Sequence, residues 1–149
     1  MHKVLEILKK KGHEVSSIEE GSNVRAAASR MNEKRIGSLV VTRGEEVVGI
    51  VSERDILGRI VAAGRNPEST VVSEVMTTPV ACCRSDTSLE ECKGVMTELR
   101  VRHLPVVENG KLMGIITSGD IIAFEKKEQQ HTIEYLYHDL YGTAPEAEK

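Results

Sequence analysis

Aromatic residues are scarce in this 149-residue sequence, which has no Trp, one Phe and three Tyr. All four lie at or after Phe124, so most of the core must be built from Val, Ile, Leu, Ala and Met. The chain therefore lacks the aromatic platforms on which single-stranded nucleic acids stack. A purine bound in this part of the protein would lie between aliphatic side chains.

The sequence also lacks a basic excess, a disulfide framework and a long apolar run. Because the net charge is −3, we expect no nucleic-acid partner. The three cysteines, Cys82, Cys83 and Cys92, have no CxxC spacing, and we expect no metal site. No apolar segment approaches membrane-spanning length, and the start MHKVLEILKKKG is too charged for a signal peptide. We expect a cytoplasmic protein without a membrane partner.

The chain contains an internal repeat. Residues 30–57 align without a gap on residues 95–122, at a constant offset of 65 residues. Gly49 then matches Gly114, and Asp55 matches Asp120. Self-similarity at a fixed spacing indicates a duplicated structural unit.

Each copy predicts the order β-α-β-β-α. A short strand, around 15–18 or 80–83, leads through a turn to a helix with apolar residues at helical spacing. Two strands follow, joined by Arg-Gly-Glu in the first copy and by Asn-Gly, a strong hairpin signal, in the second. A second helix begins at Ser52 or Thr117. One unit cannot cover its own sheet, so we expect an α/β (α+β) fold in which the two units pack with pseudo-twofold symmetry.

A Gly- and Pro-containing linker, GRNPEST at 64–70, separates the copies. We predict a first repeat with an N-terminal helix over 1–64, a second repeat over 65–127, and a C-terminal helix and tail over 128–149. Apolar spacing in the tail predicts a helix that ends at Gly142. We interpret the lysine run at 9–11 as a solvated helix end.

The repeated pattern Gly-apolar-apolar-Ser/Thr-x-x-Asp after a hairpin resembles the cystathionine β-synthase (CBS) domain. Two copies in tandem resemble a CBS pair, or Bateman module, of the short stand-alone kind without an attached enzyme or channel. The segments that carry the resemblance are GIVSERDI (49–56), GIITSGDI (114–121), RHLPVV (102–107) and DTSLEEC (86–92).

The resemblance implies a regulatory module and not an enzyme. Its expected ligand is an adenosine-containing small molecule (AMP, ADP, ATP or a nicotinamide dinucleotide) that acts as a regulatory ligand, with no cofactor required. A homodimer and a regulated partner protein are also implied. A pure interaction module with vestigial clefts is the alternative. No nucleophile–base pair that would indicate an enzyme is visible in the sequence.

The pairs Ser52–Asp55 and Thr117–Asp120 have two compatible interpretations. A hydroxyl at the start of a helix, with an acidic residue three positions on, forms an N-cap and capping box that contribute about 1 kcal/mol per helix. A carboxylate there can also accept hydrogen bonds from the vicinal hydroxyls of a ribose. The resemblance implies this second use.

Basic residues are the candidates for contact with phosphate. Arg54 lies in the first turn of a helix, where the helix dipole disfavours a cation, and its match in the second copy is glycine. It could bind phosphate through its guanidinium or be an exposed charge. The resemblance also places Arg102 and His103 toward ligand phosphates. The alternatives are a solvated Arg102 and a His103 that is half-buried at the edge of a strand. Their matches, Gly37 and Ser38, are not basic, which predicts two unequal clefts.

An apolar slot at the strand ends could accept the purine ring. Ordinary core packing is the alternative for each of its residues. The slot residues are Ile36, Gly37, Val80 and Pro105. The complete candidate nucleotide-binding set is Ser52, Arg54, Asp55, Thr117, Asp120, His103, Ser38, Gly37, Ile36, Arg102, Pro105 and Val80.

Overall fold

The computed structural model describes residues 1–127, and the predicted tail helix ending at Gly142 lies outside the described residues. The helices and strands follow the duplicated order expected from the sequence. They are α1 (Val4–Lys11), β1 (Ser17–Glu19), α2 (Val24–Lys34), β2 (Ser38–Arg43), β3 (Glu46–Ser52), α3 (Glu53–Ile56) with a π-helical turn (Leu57–Val61), a 3-10 turn (Val72–Glu74), α4 (Leu89–Leu99), β4 (His103–Glu108), β5 (Lys111–Thr117) and α5 (118–127).

The first repeat has a three-stranded sheet in the order β1-β2-β3. Strand β1 is parallel to β2, and β2 is antiparallel to β3 with Ser38 opposite Ser52. In the second repeat β4 and β5 form the matching hairpin, with His103 opposite Thr117. The Asn109-Gly110 turn has φ values of 50° and 76°. Two successive positive φ values are what a type I′ hairpin requires, so the Asn-Gly prediction is confirmed.

The strand predicted at 80–83 is reduced to a single parallel bridge between Cys83 and Val106. The matched strand β1 is longer because the amide of Val40 donates to the carbonyl of Ser16 at 3.2 Å. In the second repeat, Pro105 takes the place of Val40, and proline has no amide hydrogen to donate. One proline thus explains why the sheet of the second repeat has two strands instead of three.

Each repeat is completed by the leading segment of the other repeat. Helix α1 contributes Val4, Ile7 and Leu8 to the core of the second repeat. Conversely, Val72 and Val75 lie in the core of the first repeat. The packing therefore crosses the boundaries drawn at 1–64 and 65–127, which stay a prediction.

Two matched glycines allow this crossed packing. A Cβ added at Gly49 would overlap Met76 Sδ, and one added at Gly114 would lie 2.8 Å from Leu8 Cδ2. Leu8 belongs to α1, and Met76 belongs to the segment 72–77. We call these two the crossing segments, because each packs on the repeat to which it does not belong. The missing side chain lets each segment lie close against a strand. Within residues 1–127, no helix combines the length and the apolar composition needed to cross a membrane.

Candidate functional site

The first carboxylate corner is formed by Ser52, Asp55 and Thr77. Asp55 accepts hydrogen bonds at Oδ2 from the Ser52 amide at 2.9 Å and from Ser52 Oγ at 3.1 Å. Its Oδ1 accepts a hydrogen bond from Thr77 Oγ1 at 2.9 Å. Asp55 is 8% exposed. Both carboxylate oxygens are thus occupied by the chain itself, and a neutral hydroxyl closes this corner.

The second carboxylate corner is formed by Lys11, Thr117 and Asp120. Asp120 Oδ2 accepts hydrogen bonds from the Thr117 amide at 2.9 Å and from Lys11 Nζ at 2.7 Å. Lys11 Nζ also donates to the carbonyl of Ile115 at 3.1 Å. The side chains of Lys11 and Asp120 are 32% and 24% exposed. This corner is more accessible than the first, and a cation closes it.

The capping interpretation of both hydroxyl–carboxylate pairs is confirmed. Asp55 donates its amide to Ser52 Oγ at 3.3 Å, and Asp120 donates its amide to Thr117 Oγ1 at 3.0 Å. Each carboxylate in turn accepts a hydrogen bond from the amide of the capping residue. These are the reciprocal bonds of a capping box. The carboxylates are therefore held at the starts of their helices before any ligand is considered.

Sequence reasoning missed both residues that close the corners. Thr77 and Lys11 come from the two crossing segments. Thr77 therefore contacts Asp55 of the first repeat, and Lys11 contacts Asp120 of the second. The lysine run 9–11 does form the exposed end of α1, but the ammonium group of Lys11 also pairs with Asp120, which the sequence did not predict. Helix α1 ends at Lys11, and the packing of Val4, Ile7 and Leu8 into the second core brings that end to the corner.

His103 is half-buried beside the second corner. Burial lowers its pKa below 6.5, and the nearby cations Lys11 and Arg102 lower it further. The carboxylates of Asp120 and Glu53 oppose this shift. His103 is therefore neutral at neutral pH. Because Glu53 belongs to the first repeat, the two repeats face each other at this group of charges.

The comparison with known proteins now decides the family. The CBS domain model matches residues 12–62 and again residues 72–127. The chain belongs to the CBS-domain family. With two matched copies in tandem, it is a CBS pair.

Relatives of this CBS pair include proteins known from sequence and from structure. It is 38% identical over 100 residues to the uncharacterised protein MK0525 of Methanopyrus kandleri, over 66% of this chain and 51% of that protein. It is 32% identical over 108 residues to the CBS domain-containing protein YhcV of Bacillus subtilis, over 72% of this chain and 76% of that protein. A solved CBS-domain structure from Burkholderia ambifaria is 38% identical, with a TM-score of 0.82 over 86% of this chain and 96% of that one. The CBS pair spans about half the length of the Methanopyrus protein.

The other predicted site residues of the CBS pair lie around the two corners. Arg54 is exposed in the first turn of α3, and Arg102 is exposed just before β4. Gly37 accepts a backbone hydrogen bond from Glu53 at 3.0 Å, and Arg102 accepts the matching bond from Ser118 at 2.9 Å. The remaining residues have lower exposure. Ser38 and Pro105 are buried, while Ile36 and Val80 are half-buried.

Four clefts on the CBS pair are lined by residues other than the two aspartates. One of them, about 500 Å³ in volume, lies between α2 and α3 and includes the predicted residue Ile36. Its lining is Ala28, Met31, Asn32, Arg35, Ile36, Glu53 and Ile56. Asp55 is buried with both carboxylate oxygens hydrogen-bonded to the chain, whereas the side chain of Asp120 is partly exposed.

The cysteines of the CBS pair are free thiols. Cys83 and Cys92 are buried in the second core, and Cys82 is exposed. The hydrogen bond with Cys92 and burial both raise the pKa of the Cys83 thiol. A protonated thiol is a poor nucleophile, and Cys83 packs with Cys92 in the core of the second repeat. Across residues 1–127, no group of three or more His, Cys, Asp or Glu is placed to hold a metal ion.

Proposed function

We propose that this CBS pair is a regulatory module that binds an adenine nucleotide, such as AMP, ADP, ATP or a nicotinamide dinucleotide. The observation that carries the proposal is the second corner. A partly exposed carboxylate, Asp120, lies there beside the cations Lys11 and Arg102 and the neutral ring of His103. A carboxylate can accept hydrogen bonds from ribose hydroxyls, and cations can bind phosphate.

The chemistry of the second corner favours binding over catalysis. Asp120 is held by its capping bonds and by its ion pair with Lys11 in a position suited to accept hydrogen bonds from a ligand. The hydroxyl opposite His103 in the hairpin belongs to Thr117, and it is already engaged as the cap of the following helix. The module would then act in the cytoplasm by changing shape or assembly, because a ligand shifts an equilibrium only through its different affinities for two states.

We also propose that two copies of the chain associate through the second helix of each repeat. Leu57 and Ile122 occupy matched positions and are 64% and 62% exposed. Val61, at the end of the π-helical turn that begins at Leu57, is 67% exposed. Exposed apolar side chains at matched positions of the two repeats favour an interaction surface, and a twofold dimer would bury them against the same surface of a second copy.

Thermal melting in the presence of nucleotide tests the ligand proposal. We expect a dissociation constant in the micromolar range, about −8 kcal/mol, for at least one of AMP, ADP, ATP and NAD. A ligand at 100 times its dissociation constant should then stabilise the protein by about 2.7 kcal/mol. The variant Asp120→Asn should lose most of this stabilisation. The control Asp86→Asn, which changes an exposed carboxylate in a loop, should keep it.

The alternative function is an interaction module with vestigial clefts. It predicts an unchanged melting temperature with every adenine nucleotide at millimolar concentration, together with a stable dimer. That result would contradict ligand binding and leave the dimer surface as the function.

A further inference from the structure

We infer that the chain binds one nucleotide, at the second corner, and that Lys11 is the residue that selects phosphorylated adenosine over adenosine itself. This rests on the proposed function, since it names the site and the ligand class for that function. The two corners differ in the residue that closes them and in their exposure.

The residues that close the corners differ in charge. Thr77 closes the first corner with a neutral hydroxyl, and the enclosed Asp55 is 8% exposed. Lys11 closes the second corner with an ammonium group that remains 32% exposed at the side chain. A ribose hydroxyl that replaced Thr77 at Asp55 would exchange one hydroxyl for another. No cation would become available there to bind a phosphate. A ribose hydroxyl that replaced Lys11 at Asp120 would release a cation.

The released ammonium group has a second cation, Arg102, in the same group of charges. Lys11 and Arg102 both lie close enough to His103 to lower its pKa. At the first corner Gly37 and Ser38 replace Arg102 and His103, and the cation of the adjacent helix turn is the exposed Arg54. Glu53 lies over Gly37, since a Cβ at that glycine would be 3.4 Å from Glu53 Oε1, and its charge also reaches His103 at the second corner. The difference between the corners that bears on phosphate is therefore Lys11, which pairs with Asp120 and has only the neutral Thr77 as its counterpart at Asp55.

Lys11 has the freedom that this role requires. Its ammonium group has three hydrogen-bond donors, and two of them are used by Asp120 Oδ2 and the carbonyl of Ile115. The backbone of α1 is anchored by Val4, Ile7 and Leu8 in the second core, so the movement is confined to a flexible four-carbon side chain. Lys11 is also the last residue of α1, where the helix dipole favours a cation. The positive charge thus stays at the corner when the ligand arrives.

Calorimetric titration with AMP and with adenosine tests this inference. The variant Lys11→Gln keeps a polar side chain of similar length and removes the charge, and the control Lys9→Gln removes an exposed charge from the same helix. We expect the wild type to bind one AMP per chain and to prefer AMP to adenosine. Lys11→Gln should weaken AMP binding about tenfold without weakening adenosine binding, and Lys9→Gln should change neither. Lys11→Arg should retain the preference for AMP.

The outcomes separate the inference from the proposed function. A wild type that binds neither ligand would overturn both. If the wild type and Lys11→Gln bound AMP equally well, the role of Lys11 would be overturned and the proposed function would stand. Two AMP sites per chain would overturn the single site. Loss of AMP and adenosine binding together in Lys11→Gln would also overturn selection, because it would assign Lys11 to the structure of the corner.

Discussion

The crossed packing makes a quantitative prediction at Gly114. A methyl group added there would lie 2.8 Å from Leu8 Cδ2, whereas carbon atoms in favourable contact are about 3.5–4.0 Å apart. Extra methylene volume in a packed core costs about 1–3 kcal/mol, which is the expected destabilisation for Gly114→Ala. Leu8 is 1% exposed, so Leu8→Ala alone should cost about 2–5 kcal/mol.

The double variant distinguishes a direct contact from two independent effects. Once Leu8 is shortened, the new methyl group has room, and alanine in a strand is favoured over glycine by about 0.5–1 kcal/mol. Gly114→Ala should then become neutral or stabilising in the Leu8→Ala background, a coupling of at least about 1 kcal/mol. Urea unfolding followed by far-ultraviolet circular dichroism measures all four proteins.

Gly94 in α4 provides the matched control for this cycle. It is exposed, and an added Cβ there meets no atom within 4 Å. Gly94→Ala should therefore stabilise the protein by about 0.5–1 kcal/mol through helix propensity alone. If Gly114→Ala behaved like Gly94→Ala, or added to Leu8→Ala without coupling, α1 would not pack against β5 as described.

Two further predictions concern pH and assembly. Because burial and neighbouring cations hold the pKa of His103 below 6.5, the unfolded chain binds more protons than the folded chain between the lowered pKa and 6.5. The stability that this histidine contributes is fully present above pH 6.5 and falls as the pH drops through that window. The urea concentration at the midpoint of unfolding should therefore decrease between about pH 7.5 and about pH 5.5, and His103→Gln should make this decrease smaller. An equal decrease in the variant would contradict the assignment. Replacing the exposed Leu57 and Ile122 together with Glu should halve the mass measured by light scattering, whereas Ser73→Glu should leave the dimer intact; a dimer that persists in the double variant would place the interface elsewhere.

Local features of the fold were predictable because their signals are local. The Asn-Gly hairpin depends on two residues that accept positive φ, and the caps at Ser52 and Thr117 depend on residues three positions apart. Because the two copies align at a constant offset of 65 residues, an element predicted in one copy is also predicted at the matched positions of the other. The strand at 80–83 was overpredicted because the effect of Pro105 appears only when the partner strand is known.

The partners of the two aspartates were not predictable, because they depend on contacts that are distant in sequence. Lys11 and Asp120 are 109 residues apart, and Thr77 and Asp55 are 22 apart. Nothing in the repeat alignment shows that each leading segment packs on the opposite repeat. The sequence did predict that the clefts would be unequal, from Gly37 and Ser38 in place of Arg102 and His103. The structure adds a second asymmetry through Lys11 and Thr77.

A crystal structure of the chain with bound AMP tests the central claim most directly. We predict a single AMP per chain, with its ribose hydroxyls on Asp120 and its phosphate in contact with the ammonium group of Lys11. Ribose bound at Asp55, or AMP in the cleft between α2 and α3 with the Lys11–Asp120 pair intact, would contradict the account.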